Sequence, residues 1–231
     1  LRAAAARPAT RPPVGAYELA IEVAPGLVER APRAVFYRAP VAANAPLIVV
    51  QLSDLHLGHD RFVEPRLEQA IRSINQLQPD VVLVTGDMAE QGRTKLLVER
   101  AGALLATIEA PVLTIIGNHD YGHFPKALPR EAPDHGFFHY ARTFHPFRLF
   151  RTTVGRWELV GFDSGPSLFT PMVVTRGIDD ETLRELGTAL DEAARDQRNT
   201  LLFSHAPTRA SFLAGTSHLG GNQIGSMHHG A

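Results

Sequence analysis

Short runs of apolar residues, many of them β-branched, recur at 47–52, 81–85 and 112–116. Between these runs, apolar residues recur at helical spacing over 64–77 and over about 94–108. Continuous apolar runs are typical of strands that are covered on both faces. Strands that alternate with helices predict parallel strands joined by right-handed crossovers. The first half of the chain therefore predicts a β-α-β-α-β unit.

The remaining pattern adds elements on either side of this unit. It predicts edge strands at 17–23 and 34–38, an irregular excursion at 121–145, a hairpin at 147–153 and 157–162, a helix at 180–197 and a core strand at 200–203. Residues 1–14 are rich in Ala, Arg and Pro, which predicts a flexible lead-in. We divide the chain into a lead-in with edge strands at 1–44 and an α/β domain at 45–231.

The amino-acid composition limits the ligands and partners that the chain can have. The 231 residues include 23 Lys and Arg against 24 Asp and Glu, a formal charge of −1, so no global basic field attracts nucleic acid. Cysteine is absent, so any metal must be held by oxygen and imidazole ligands. No apolar run approaches the ~20 residues that a transmembrane helix requires.

Short polar motifs follow the predicted core strands. In open sheets of this type, functional sites form at the carboxyl ends of the strands. Carboxylate, amide and imidazole groups suit divalent ions such as Mn, Fe or Zn, and two such ions ~3.5–4 Å apart can hold the attacking and leaving oxygens of a phosphoryl transfer. The polar residues at the four strand ends are Asp54, His56, Asp87, Asn118, His119, Asp120 and His205.

These motifs resemble those of the calcineurin-like metallophosphoesterases in order and in spacing. Taken singly, an Asp-x-His or a Gly-Asp after a strand is most often a turn, and the ordered series is what is specific. The resemblance covers about Pro46 to Pro207. The opening stretch 52–58 is closest to bacterial members that act on phosphodiesters, nucleotides or lipid-sugar pyrophosphates. The motifs are Asp54-Leu55-His56, Gly86-Asp87, Gly117-Asn118-His119-Asp120 and Ser204-His205-Ala206-Pro207.

The resemblance implies a fold and an activity. The fold would be a four-layer α/β/β/α sandwich, in which two mixed sheets are flanked by helices. The activity would be hydrolysis of a phosphoester, most readily a phosphodiester or a pyrophosphate, by attack of a metal-bound hydroxide. Two divalent metal ions, Mn, Fe, Zn or similar, would be the cofactors.

The same resemblance implies a ligand set for the two ions. Asp54 and His56 would bind the first ion, and Asn118 and His205 would bind the second. Asp87 would bridge the two ions.

Two further residues receive catalytic roles by resemblance. His119 would contact the substrate phosphate and help to protonate the leaving alkoxide. Asp120 would orient the His119 imidazole. An imidazole held by a carboxylate is a suitable acid near neutral pH.

The chain departs from the family pattern after the last of these motifs. The family also has a Gly-His-x-His motif, and the nearest match, at 215–221, has Thr216 in place of the first histidine. His218 also follows His205 by only 13 residues. We therefore expect 206–231 to be a loop on the substrate side and the motif to lie beyond Ala231, so that the domain is incomplete at its C-terminus.

Two other functions remain open at this point. The first is a degenerate metal-binding or scaffolding module, in which Thr216 marks the loss of a ligand. The second is a nuclease of the same fold, which would call for a basic groove that the near-neutral charge does not support. The sequence leaves the oligomeric state open, and also the compartment, since a signal or membrane anchor upstream of Leu1 would make the protein exported or membrane-associated rather than cytoplasmic.

Overall fold

The computed structural model describes residues 15–37, 45–122, 136–165, 168–170, 173–175 and 178–206. The predicted lead-in at 1–14 lies outside the described residues. So does 207–231, which contains the near match to the Gly-His-x-His motif with Thr216. Within the described ranges the elements are β1 (Gly15–Ala24), β2 (Leu27–Tyr37), β3 (Val49–Leu52), α1 (Glu64–Leu77), β4 (Val81–Val84), α2 (Lys95–Leu105), β5 (Val112–Thr114), α3 (Gly136–Thr143), β6 (Leu149–Val154), β7 (Trp157–Phe162), β8 (Leu168–Thr170), β9 (Val173–Thr175), α4 (Asp180–Arg195) and β10 (Asn199–Phe203).

The first sheet has the strand order β3-β4-β5, and both of its pairings are parallel. Successive side chains of β4 alternate between its two faces. Val82 and Val84 pack with helices α1 and α2, whereas Val81 and Leu83 pack toward the other sheet. This double burial explains the continuous apolar run of β4 and confirms the predicted β-α-β-α-β unit.

The second sheet has the strand order β10-β7-β6, with β10 parallel and β6 antiparallel to β7. On β7, Leu159 packs into the core between the two sheets. Val160 and Phe162 point the other way and pack against Leu186 and neighbouring residues of α4. The layers are therefore helices, sheet, sheet and helix, which confirms the α/β/β/α sandwich. Among the described strands, only the second sheet is mixed.

The prediction of an irregular excursion at 121–145 was wrong in part, because α3 lies within it. Tyr140 of this helix is buried in the core formed by α1, α2 and the first sheet, and its hydroxyl lies 2.9 Å from Thr114 Oγ1. The helix has only eight residues, so its apolar side cannot establish a period against the Pro and Gly residues around it.

The two smaller pairings stand apart from these sheets. Strands β1 and β2 form an antiparallel hairpin around Gly26, whose φ of 77° is readily adopted only by a residue without a Cβ. Strands β8 and β9, which the sequence did not predict, form a second short hairpin. No helix in the described ranges is both long enough and apolar enough to cross a bilayer.

The core between the sheets gives a stability prediction. Leu159→Ala removes a side chain that is 0% exposed, and we expect it to cost about 2–5 kcal/mol of unfolding free energy because a cavity remains. Leu202→Ala makes the same change on β10 at a position that is 37% exposed, and it should cost much less. Urea denaturation of both variants measures the difference, and equal losses would show that the two sheets do not pack through Leu159.

Candidate metal centre

The backbone is strained at three of the predicted ligands. Asp54, His56 and Asp87 have φ angles of 54°, 51° and 54°, in the left-handed region that side chains other than Gly rarely adopt. Such strain costs roughly 1–3 kcal/mol per residue and persists where the surrounding structure enforces it. Here the amide of Asp54 donates to Gly86 O at 3.1 Å, and the amide of His56 donates to Asp87 O at 2.9 Å. These bonds join the loops after β3 and β4 and aim both sets of side chains at one place.

Close packing of the loops after β4 and β5 requires glycine at Gly117. A Cβ added there would lie 2.2 Å from both the amide nitrogen and a carboxylate oxygen of Asp87. The glycine therefore lets the segment that carries Asn118 approach the loop that carries Asp87.

The carboxylate of Asp87 lies between two imidazoles from different sheets. One of its oxygens is 3.7 Å from Nε2 of His56 and 3.4 Å from Nε2 of His205. Its other oxygen accepts the backbone N–H of His119 at 2.8 Å. Asp87 is only 3% exposed, and an isolated buried carboxylate would be costly. Each imidazole offsets that cost when its Nε2 carries a proton, and a cation among these atoms would offset it in the same way.

All five predicted ligands come together in this way. An Asp54 oxygen lies 3.6 Å from Nε2 of His56, and the amide oxygen of Asn118 lies 2.9 Å from Nε2 of His205. The ligand atoms of Asp54, His56 and Asp87 all lie within 4.8 Å of one another. The structure therefore gathers carboxylate, amide and imidazole groups, the ligand types that suit a divalent transition metal.

The nitrogen Nδ1 of His205 fixes the orientation of that imidazole ring. Nδ1 of His205 donates to the backbone oxygen of Thr85 at 2.9 Å, because a carbonyl can only accept. In the neutral ring, Nε2 then carries a lone pair that faces the oxygens of Asn118 and Asp87. Acceptors that converge in this way repel one another until a cation lies among them, so the group fits a metal ion. Support of the outer ring nitrogen is typical of metal-binding histidines.

The neighbouring groups keep the carboxylates of Asp54 and Asp87 ionised. The contact with the His56 imidazole lowers the pKa of Asp54 to about 2. The same contact, with help from Asp87 and Glu90, raises the pKa of His56 to about 9 against the effect of its burial. Burial alone would raise the pKa of Asp87, but the neighbouring His205 and the N–H of His119 outweigh it and lower that pKa.

Asp120, for which the sequence predicts a role in orienting His119, makes its described contacts with backbone amides. Its carboxylate is buried and accepts the backbone N–H groups of Met88, Ala89 and Gly117 at 2.9–3.0 Å. Burial raises the pKa of Asp120 to about 7. These contacts hold the loops after β4 and β5 together.

Glu90 is a site residue that sequence reasoning missed. Its carboxylate lies 2.8 Å from Nδ1 of His56 and 3.6 Å from Nδ1 of His119. The same Nδ1 of His119 lies 3.0 Å from the Glu90 carbonyl oxygen. The two imidazole rings meet edge to face, with their centroids 4.6 Å apart. Its place in the sequence could have indicated this role, because Glu90 lies three residues after Asp87 on the same loop.

Glycine substitutions test the packing of the two loops. Gly117→Ala forces a Cβ against backbone and carboxylate atoms, so we expect a loss of about 1–3 kcal/mol of unfolding free energy. Gly187→Ala is the matched control, since nothing lies within 4 Å of its Cβ, and in helix α4 it should stabilise by about 0.5–1 kcal/mol. Thermal unfolding of both variants measures the two effects, and a neutral Gly117→Ala would contradict the described approach of the loops.

The position of Glu90 predicts an effect on metal affinity. Glu90→Gln keeps the size of the side chain but removes the charge that supports His56, and we expect binding of Mn²⁺ to weaken about 10–100-fold. Glu109→Gln, at an exposed position, is the control and should bind as the unsubstituted protein does. Isothermal titration with Mn²⁺ provides the comparison. Equal affinities for the two variants would remove Glu90 from the site.

Comparisons with known proteins agree with this geometry. A family profile described as calcineurin-like phosphoesterase matches residues 47–227. The UDP-2,3-diacylglucosamine pyrophosphatase LpxG of Chlamydia trachomatis is 36% identical over 83 residues, which cover 34% of this chain and 24% of that protein. A probable cyclic nucleotide phosphodiesterase of Moraxella catarrhalis is 34% identical over 86 residues, which cover 36% of this chain and 31% of that protein. The chain thus matches less than a third of the length of these two relatives.

A solved structure supports the fold. A dimetal phosphatase from Danio rerio superposes with a TM-score of 0.51 and 14% identity, over 71% of this chain and 70% of that chain. The family profile matches considerably more than half of the 231 residues. It describes hydrolases that act on phosphoester bonds, and divalent metal ions are implied for such proteins. The chain belongs to the calcineurin-like phosphoesterase family.

Proposed function

We propose that this protein is a metal-dependent phosphoesterase that hydrolyses a phosphodiester or a pyrophosphate. The observation that carries the proposal is the position of the buried Asp87 carboxylate between the Nε2 atoms of His56 and His205. A carboxylate placed between ligands from two sheets is suited to bridge two cations. The proposed ligands are Asp54, His56, Asp87, Asn118 and His205.

The metal ions would supply the chemistry that the side chains lack. When bound, they lower the pKa of a coordinated water and offset the charge of the phosphate. The protein contributes the fixed arrangement of ligands, since the hydrogen bonds to Thr85 and Glu90 hold the rings of His205 and His56 in place.

His119 is the proposed proton donor to the leaving oxygen. Its Nδ1 donates to the carbonyl oxygen of Glu90, so Nε2 is the atom at which the ring gains or releases a proton. The ring is 19% exposed, which gives substrate access to it. Its backbone N–H is tied to Asp87, so the ring is held at a fixed distance from the proposed bridge.

The substrate class rests on the relatives and on the opening motif. One relative is named as a UDP-2,3-diacylglucosamine pyrophosphatase and another as a probable cyclic nucleotide phosphodiesterase. Both names describe substrates in which the scissile phosphorus carries two ester or anhydride links. The stretch 52–58 resembles bacterial members of the same kind, which supports the choice of a phosphodiester or pyrophosphate over a monoester.

Hydrolysis assays on the full-length gene product test the proposal. With Mn²⁺, we expect faster turnover of bis-p-nitrophenyl phosphate than of p-nitrophenyl phosphate. Asp87→Asn should lower kcat/KM at least about 100-fold, because the bridging charge is lost while the shape is kept. Asp60→Asn, at a side chain that is 85% exposed, is the control and should leave kcat/KM unchanged.

Three results would contradict parts of this proposal. Unchanged turnover in Asp87→Asn would exclude the bridging role. Preference for the monoester would overturn the substrate class. Binding of Mn²⁺ without turnover of any phosphoester would favour the metal-binding module over the enzyme.

A further inference from the structure

A second buried polar cluster adjoins the metal centre. Asp163 follows β7 and is 2% exposed. One of its oxygens accepts the hydroxyl of Tyr121 and also Nε of Arg148 at 2.9 Å, and the other accepts the N–H of Gly165 at 2.7 Å. Arg148 also pairs with Asp179. The ligand set proposed above uses none of these groups.

Tyr121 connects this cluster to the loop after β5. It follows Asp120 directly, so it belongs to the segment that carries Asn118 and His119. Its ring is buried and stacks on Phe137, with the centroids 6.0 Å apart. Its hydroxyl therefore links the first sheet's half of the metal centre to a charged group at the end of the second sheet.

Ser164 connects the same cluster to the loop after β10. Its side chain is buried, and its hydroxyl oxygen accepts the N–H of Ala206 at 3.0 Å. Ala206 follows His205, the ligand contributed by the second sheet. The consecutive residues Asp163 and Ser164 therefore contact both segments that meet at the Asn118–His205 contact.

The cluster is also firmly anchored. Burial opposes the charge of Arg148, but the carboxylate of Asp163 and the hydroxyl of Tyr121 raise its pKa above the ordinary value. Its second partner, Asp179, caps helix α4 by accepting the N–H of Thr182 at 2.8 Å. The Asp163 carboxylate thus has a fixed position relative to β6, β7 and α4.

We propose that Tyr121, Asp163 and Ser164 are positioning residues that set the distance between Asn118 and His205, and thereby the affinity for the second metal ion. The inference rests on the proposed function. Apolar packing between the two sheets is not directional, whereas a metal site requires its ligands within about 0.5 Å of their working positions. Hydrogen bonds to a buried charge are directional and strong, and they supply that accuracy.

Matched tyrosine variants of the full-length protein test this role. Tyr121→Phe keeps the ring and removes the hydroxyl, and we expect the second Mn²⁺ to bind about 10–100-fold more weakly. Tyr140→Phe removes an equally buried hydroxyl, which contacts Thr114 and His145 and no residue of β7 or β10 in the described contacts. It should lower the melting temperature but leave both Mn²⁺ affinities unchanged. Isothermal titration gives the affinities, and electron paramagnetic resonance of the two-Mn²⁺ form reports the coupling between the ions.

A double-mutant cycle with Ser164→Ala adds an independent test. If the Asp163–Ser164 pair joins the two segments, the double variant should lose less affinity than the product of the two single losses, because either change already separates them. Equal Mn²⁺ affinities in Tyr121→Phe and Tyr140→Phe would overturn the inference, even with full binding by the unsubstituted protein. Failure of the unsubstituted protein to bind Mn²⁺ would overturn the proposed function and this role with it.

Discussion

A carboxylate taken out of water must be paired, and Asp87 is paired on all sides. Its two oxygens contact His56, His205 and the backbone of His119, groups from three different strand ends. Removal of any one partner leaves a buried charge short of compensation. The loops after β3, β5 and β10 therefore depend on the side chain that follows β4, and the site forms as a unit.

The backbone of these loops is arranged around that carboxylate. Left-handed φ angles at Asp54, His56 and Asp87 turn their side chains toward one point. This backbone conformation is less favourable for these residues than the usual negative φ. Asp120 offsets part of the strain, because its buried carboxylate binds amides on both the β4 and the β5 loops. The loops gain rigidity from a buried carboxylate that accepts hydrogen bonds from their backbone.

Sequence patterns predicted the layers of the fold because each layer leaves a local trace. The double burial of β4 appears as an unbroken apolar run, and the single buried face of α4 appears as a helical period. The short helix α3 left too few turns for a period to show. The pairing of β10 with β7 joins residues about 40 apart, and no local signal encodes it.

The candidate site shows the same division. Motif residues were predictable because they follow strands, and parallel strands bring their ends together. Glu90 and Asp163 were harder to assign, since a carboxylate in a loop looks the same in sequence whether it faces solvent or the interior. The bonds from Asp120 to the amides of Met88 and Ala89 could not be predicted, because they join residues about 30 apart in the chain.

The position of His205 after β10, far along the chain from Asp54, also has a consequence for folding. Asp54 and His205 are separated by about 150 residues, so the loop between them is one of the longest that the domain closes on folding. Two ions that share Asp87 would join both ends of this span and act as a removable cross-link, formed only after the second sheet has docked on the first. The concentration of free metal in the cell would then affect the stability of the folded domain as well as its activity.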